Sequence, residues 1–309
     1  MNKNLNKAKK IKNDEFYTQL TDIEKELEHY IDHFEGKTVL CNCDDPQISN
    51  FFHYFSYNFE KLGLKKLITT CYKNQQMNLF SKQNAEKAIY LEYECTKNGN
   101  VPDIKDIGTK QLQGDGDFRS KECIELLKES DIVVTNPPFS LFRKYLAQLI
   151  EYDKKFLIIG SYNAVTYKEV FPLIKNNKIW LGCNFVKEFK IPDGSIKKFG
   201  NIVWYTNLPH KKRNEELILF KDYYKHGEDF PKYDKYDAIE VSKVINIPRD
   251  YNGVMGVPIT FLSKFNPKQF EILDISPHFF LIVEQGLKSP NELRVNGKKL
   301  YVRILIKKK

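Results

Sequence analysis

The residues best suited to chemistry are Thr135-Asn136-Pro137-Pro138-Phe139, which follow the apolar stretch Ile132-Val133-Val134. A planar amine such as the exocyclic N6 of adenine is a poor nucleophile, because its lone pair is delocalised into the ring. A site that activates it must accept both N–H hydrogens and favour a more tetrahedral nitrogen. The side-chain oxygen of Asn136 and the carbonyl of Pro137 are two such acceptors, and proline has no N–H with which to hold the loop in a sheet ladder. Dipoles of this kind act most strongly in a dry pocket, where one well-aimed group is worth on the order of 10²–10³ in rate. Phe139 supplies a ring for a base swung out of a helix, and such a stack returns about 1–3 kcal/mol of the unstacking cost. Asn136, Pro137, Pro138 and Phe139 are therefore the candidate catalytic residues. Read without function, the same segment is a turn in which two prolines stop strand pairing.

Two further polar motifs accompany it. In Gly114-Asp115-Gly116-Asp117-Phe118, a carboxylate of Asp115 or Asp117 can accept a hydrogen bond from the amine of an adenosine, and Phe118 can lie against its face. Alone, this segment also reads as a glycine-aspartate turn. Cys41-Asn42-Cys43-Asp44-Asp45-Pro46 lacks the glycines of a phosphate-binding turn, and its acidic pair favours a cationic ligand. S-adenosylmethionine, which carries a sulfonium and an ammonium group, suits both motifs and is the expected cofactor. Gly36-Lys37-Thr38 resembles the end of a phosphate-binding loop, but Ile31 occupies the position of the required earlier glycine. The histidines form no ligand or nucleophile-base pattern and the cysteines form no C-x-x-C pair, so no metal is expected.

Such motifs need strand ends to hold them. Ile23, Leu27, Tyr30, Ile31 and Phe34 recur at helical spacing and predict a helix from Asp22 to Phe34, ended by Gly36. Val39-Leu40-Cys41 reads as a buried strand, Ile48 to Leu62 as a helix and Lys66 to Thr70 as a second strand. The run Ile89 to Tyr93 with the Asn98-Gly99 turn has the pattern of a hairpin. Helices over Lys121–Lys128, Leu141–Tyr152 and Thr166–Lys175 then alternate with strands over Ile132–Thr135 and Phe156–Ile159. This alternation predicts an α/β fold with a mostly parallel, Rossmann-like sheet. In such sheets ligands bind outside the carboxyl ends of the strands. Ile179–Leu181 and Ile202–Thr206 are expected as an antiparallel pair closing the sheet edge.

A flexible basic arm is expected over residues 1–13, a catalytic domain over 14–206 and a C-terminal region over 207–309, either an irregular extension or a target-recognition region. The net charge of +9 and the 14 % aromatic content match a surface that holds phosphates and stacks bases. Lys7, Lys9, Lys10 and Lys12 of the arm, with Lys211, Lys212 and Arg213, are the candidate nucleic-acid contacts. The sequence has no apolar run long enough for a membrane span and no secretory leader, so a cytoplasmic protein is expected.

From Lys7 to the C-terminus the chain resembles the EcoRI-type adenine-specific DNA methyltransferases. The resemblance runs through Asp14-Glu15-Phe16-Tyr17-Thr18-Gln19, the Cys41–Pro46 loop, Gly114–Ser120, Ser130–Tyr145, Thr166–Phe171 and Asp250–Phe265. It implies a methyltransferase domain that flips its target base and methylates one adenine per strand of a short palindrome in double-stranded DNA. By the same resemblance Tyr17, Thr18 and Gln19 look like an N-terminal cofactor motif. The Cys41–Pro46 loop looks like the methionine-moiety site, Asp117 and Phe118 the adenosine site, and Asn136–Phe139 the catalytic loop. A monomer, with a restriction endonuclease as genetic partner, completes the expectation. The segment Gly182–Gly200 is shorter than in the best-known member, and Cys71-Tyr72 stands where methyltransferases commonly present a ribose-binding carboxylate, so no ribose ligand is named. Methylation of RNA adenine or of a protein glutamine amide stays open at this point, as does a silent DNA-binding module.

Overall fold

The computed structural model describes residues 17–43, 49–71, 88–94, 107, 109–191, 194–276 and 293–309. Lys7, Lys9, Lys10, Lys12, Asp44, Asp45, Pro46 and the Asn98-Gly99 turn lie outside the described residues. The chain divides into two compact units, one of residues 1–162 and 182–208 and the other of 163–181 and 209–309.

In the first unit the chain runs through β1 (Tyr17–Thr18), α1 (Leu20–Leu27), β2 (Thr38–Asn42), α2 (Asn50–Tyr57), β3 (Lys66–Thr70), β4 (Ile89–Tyr93) and β5 (Lys110–Gln111). It continues through α3 (Lys121–Glu129), β6 (Ile132–Thr135), α4 (Phe142–Glu151) and β7 (Lys155–Ser161), then returns as β8 (Trp180–Lys190) and β9 (Ile196–Thr206). These strands form one sheet in the order β1-β8-β9-β7-β6-β2-β3-β4-β5. Its centre, β7-β6-β2-β3, is parallel, and β4 and β9 flank it antiparallel.

The central strands are buried along their whole apolar length, as a sheet covered on both faces requires. Alternate residues serve opposite faces. Val39, Cys41, Ile132, Val134, Leu157 and Ile159 share a core with Ile23 and Leu27 of α1 and Phe51, Phe52 and Phe55 of α2. Against the other face, α4 packs Phe142 on Tyr205, with ring centroids 5.0 Å apart.

One buried charge ties α1 to β8. The Glu26 carboxylate accepts hydrogen bonds from the Tyr30 hydroxyl at 3.0 Å, the backbone N–H groups of Cys183 and Asn184 at 2.7 Å each, and the Asn184 side-chain amide at 3.0 Å. Burial pushes its pKa up, and these donors oppose the shift. Gly182 lets β8 come this close, since a Cβ there would collide with the Glu26 carboxylate and with Trp204.

Several elements differ from the sequence reading. The helix expected from Asp22 to Phe34 is α1 plus a separate 3-10 turn, Ile31–His33. Tyr30 leaves helical geometry at φ −128° and ψ 10°, and its hydroxyl turns back onto Glu26. The helix expected from Ile48 to Leu62 stops at Tyr57, where the Asn58 side-chain amide takes the Tyr54 carbonyl at 2.9 Å. The helix expected from Thr166 to Lys175 is a 3-10 turn, Tyr162–Thr166, followed by α5 (Phe171–Lys175), which begins around Pro172. Proline suits a helix start because its missing N–H has no partner there. β8 and β9 each run far beyond the short strands expected, because the exposed Lys187, Lys190, Lys197 and Lys198 dilute the apolar signal. The sheet edge is closed by β1, which pairs with β8.

The second unit holds, besides α5, a five-stranded sheet in the order β10 (Lys232–Tyr233), β11 (Tyr236–Glu240), β12 (Met255–Pro258), β16 (Arg303–Lys308), β13 (Phe270–Ile275). A ribbon of β14 (Arg294–Val295) and β15 (Lys298–Lys299) accompanies it. An irregular extension is one expectation for this region, but its short apolar runs are ladder strands. Arg303 pairs with the buried Glu240 at 2.7 Å, and the Tyr233 hydroxyl donates to the same carboxylate. Among the described residues no helix is long and apolar enough to cross a membrane.

Gly182→Ala is expected to destabilise the first unit by about 1–3 kcal/mol, because the methyl meets a carboxylate that four donors hold still. Thermal denaturation followed by circular dichroism should show a melting temperature lower by on the order of 5 °C. An unchanged value would mean that Glu26 gives way.

Candidate active site

β2 is followed by β3 on one side and β6 by β7 on the other, so the strand order reverses between β2 and β6. Ligands of open α/β sheets bind at such a switch point. The ladder between β2 and β6 pairs Val39 with Ile132 and Leu40 with Val133, whereas β2 and β3 stay paired to Asn42 and Thr70. Asn42 and Thr135 therefore stand past the last rung of that ladder. Side chains span the gap. The Thr135 hydroxyl donates to the Asn42 backbone carbonyl, and the Tyr145 hydroxyl of α4 donates to the Asn42 side-chain oxygen.

The catalytic candidates follow directly. Asn136 is 6 % exposed and Pro137 is buried, while Pro138 and Phe139 are half-buried. The Leu141 N–H closes on the Pro138 carbonyl at 2.9 Å and leads into α4. Phe139 meets Phe189 edge to face, with centroids 6.2 Å apart at 89°, and Phe189 meets Phe199 in the same way at 5.5 Å. Thr18 pairs with Phe189 across the β1–β8 ladder, so both side chains point to one face. Thr18 and Phe139 are thus joined through one phenylalanine. Asn50, at the start of α2, donates to the Thr18 carbonyl at 2.7 Å.

The glycine-aspartate motif is pinned to the same place. Gly116 has φ +75°, and a Cβ there would collide with the carbonyl of Cys71 at the end of β3. Gln148, one turn beyond Tyr145 on α4, donates its amide to the Phe118 carbonyl at 3.1 Å. Tyr145 and Phe118 meet edge to face at 5.0 Å. Asp115 accepts the Asp117 N–H at 3.0 Å, and the Asp117 carboxylate takes the Arg119 guanidinium at 2.8 and 2.5 Å. That guanidinium holds the Asp117 carboxyl below the usual carboxylate range, so it is ionised at neutral pH. Arg119 also lies over the Phe118 ring, 5.4 Å from its centroid.

The family described as adenine-specific methyltransferase EcoRI matches residues 4–309. The chain belongs to this family. It is 52 % identical to Type II methyltransferase M.EcoRI of Escherichia coli, across 100 % of this chain and 97 % of that protein. It is 39 % identical to Type II methyltransferase M.MpnI of Mycoplasma pneumoniae and 38 % to Type II methyltransferase M.MgeORF184P of Mycoplasma genitalium, each across 98 % of both chains. Coverage this complete extends the likeness over both units. No solved structure matches the chain. As a member of the adenine-specific methyltransferase family, the chain is an enzyme that transfers a methyl group.

Within this family member the structure links Thr18 to Phe139 through Phe189, and Asn42 to Phe118 through Tyr145. Gln19 is half-buried and stands directly before α1. Cys41 turns its side chain into the hydrophobic core, and Cys43 takes a left-handed φ of 82° while its N–H reaches the Thr70 carbonyl at 3.1 Å. Phe118 is enclosed by Tyr145 and Arg119, so its ring anchors the motif from inside. In the second unit Lys211 and Lys212 are exposed on the 3-10 turn Lys211–Asn214. Arg213 instead stacks on Trp180 at 3.7 Å, half-buried, and bonds Asn177 at 2.7 Å. Sequence reasoning passed over Tyr145, Gln148 and Phe189. The signal for the first two was a tyrosine and a glutamine three apart on a helix that starts just after Asn136–Phe139, a spacing that puts both on one face.

Gly116→Ala is expected to destabilise the first unit by about 1–3 kcal/mol, since the motif must leave Cys71 to make room. Chemical denaturation followed by circular dichroism measures this, and a midpoint equal to the parent's would mean that the motif moves aside freely.

Proposed function

We propose that this methyltransferase transfers the methyl group of S-adenosylmethionine to the N6 amine of an adenine in a short palindromic sequence of duplex DNA. It does so as the modification enzyme of a restriction-modification system or as an orphan methylase, and it acts as a monomer. The observation that carries this reading is the Asn136 amide, buried beyond the last rung of the β2–β6 ladder and followed by Pro137 and Phe139.

The residues present fit the donor. The Thr18 hydroxyl is 2 % exposed and has no hydrogen-bond partner among the described residues, so a polar group of a ligand would satisfy it. Asp117, kept ionised by Arg119, offers an acceptor for the adenosine amine. When bound, S-adenosylmethionine supplies a methyl group on a positively charged sulfur.

Asn136 and Pro137 accept the two N6 hydrogens, which localises the lone pair of the amine. Phe139 stacks on the flipped base, and Phe189 fixes the plane of that ring from its edge. The pocket holds the base by neutral dipoles already in place, the arrangement that lowers a barrier most in a dry site. The second unit serves target recognition, with Lys211 and Lys212 toward the DNA phosphates.

The test is incubation with labelled S-adenosylmethionine and unmethylated genomic DNA, with modified bases mapped by long-read sequencing. N6-methyladenine within one short motif is the expected result. Label on RNA or on a protein glutamine amide, with none on DNA, would replace the reading. Asn136→Ala should lower kcat by about 10²–10³ while donor affinity stays within about twofold. Binding to DNA should weaken steeply with salt, with a log–log slope of about −0.9 for each phosphate contacted. A flat salt response would count against a DNA substrate.

A further inference from the structure

We propose that Tyr145 is a positioning residue that couples the donor loop to the catalytic loop across the sheet switch point. The proposal rests on the reading of Asn136 as the group that accepts the N6 hydrogens.

Past Leu40 and Val133 no ladder bond joins β2 to β6, yet the donor loop leaves from Asn42 and the catalytic loop from Thr135. Across this pair of strands their alignment therefore falls to side chains. Tyr145 is 1 % exposed, and a buried hydroxyl keeps its place only with an acceptor. That acceptor is the Asn42 side-chain oxygen, while the Asn42 backbone carbonyl takes the Thr135 hydroxyl. Asn42 is thereby held from two sides, and one of its holders is the residue directly before Asn136.

The position of Tyr145 in the chain adds to this. It lies nine residues after Asn136 on the helix that the catalytic loop feeds. A shift of the donor loop at Asn42 is passed to α4 through the phenol and to β6 through Thr135, so both ends of the catalytic loop feel it. Gln148 on the same helix face holds the Phe118 carbonyl, which keeps α4 from rotating independently of the adenosine motif.

Tyr145→Phe keeps the ring, and with it the contact to Phe118, and removes only the hydroxyl. With unmethylated genomic DNA as substrate, kcat is expected to fall about 10–100-fold, since small misplacements of an aimed group cost on this scale. The dissociation constant for S-adenosylmethionine, read by calorimetry, should change less than about threefold, and the melting temperature by no more than a few degrees. Asn42→Asp, which still accepts from the phenol, should retain more activity than Asn42→Leu. In an Asn136→Ala background, Tyr145→Phe should add little, because the hydroxyl acts through Asn136.

Unchanged kcat in Tyr145→Phe would overturn the proposal. So would parallel losses of kcat, donor affinity and melting temperature, or full additivity in the double variant. An Asn136→Ala enzyme that keeps parental activity would instead defeat the underlying reading, whatever Tyr145→Phe does.

Discussion

Asn42 is gripped by two hydroxyls, of Thr135 on β6 and Tyr145 on α4, at the point where two neighbouring parallel strands stop pairing. The geometry of the first unit follows from how that gap is managed. A doubly wound sheet must separate its strands at the switch point to make a crevice, and separation leaves polar backbone without ladder partners. A buried polar group left unpaired costs about 1–3 kcal/mol, so the gap would close or fill with water if nothing spanned it. Here it is spanned by one carbonyl, one amide and two hydroxyls, which satisfy one another and leave the strand ends apart. α4 then acts as a splint. It begins where the catalytic loop ends and reaches the first motif through Tyr145 and the second through Gln148.

Around this polar node the remaining positioning is aromatic and steric. Phe199, Phe189 and Phe139 meet edge to face in succession, so the outermost ring inherits its plane from two others, one of them fully buried. Edge-to-face pairs gain about 0.5–1.5 kcal/mol beyond area burial, enough to prefer one ring plane without freezing it. Charge is kept at the margin. The Asp117 carboxylate faces a guanidinium, while Asn136, Pro137 and Phe139 carry no charge at all. A neutral loop suits the proposed reaction, in which a neutral amine attacks a cationic donor, because a carboxylate in the same place would hold the donor more tightly without lowering the barrier to the same extent.

Much of the centre of this fold was legible in the sequence. The strands Lys66–Thr70 and Ile132–Thr135 coincide with their predicted limits, since short uninterrupted apolar runs next to polar loops have few other uses in an alternating pattern. The same alternation places Asn42 at the end of β2 and Asn136 directly after β6, as the limits of those strands show. What joins them was not legible. Tyr145 and Asn42 are 103 positions apart, and a tyrosine on the apolar face of an amphipathic helix reads as core. Glu26 and Cys183 are 157 apart, so nothing local marks that carboxylate as buried. The second sheet escaped for a different reason. Its strands are short and interrupted by Gly253, Gly256 and Pro258, and each is stabilised by neighbours far along the chain, as β12 is by β16.

The two units are interlaced in chain order, since the backbone passes between them after residues 162, 181 and 208. No single cut can release either unit whole. A ribosome that has delivered the catalytic loop and α4 has still not delivered β8 and β9, which supply Phe189, Phe199 and the partners of Glu26. A segment belonging to the other unit is therefore made before the first unit is finished. The first unit is complete in sequence only once residue 208 has been made, and a chain that stops before residue 182 lacks the strands that supply Phe189 and Phe199.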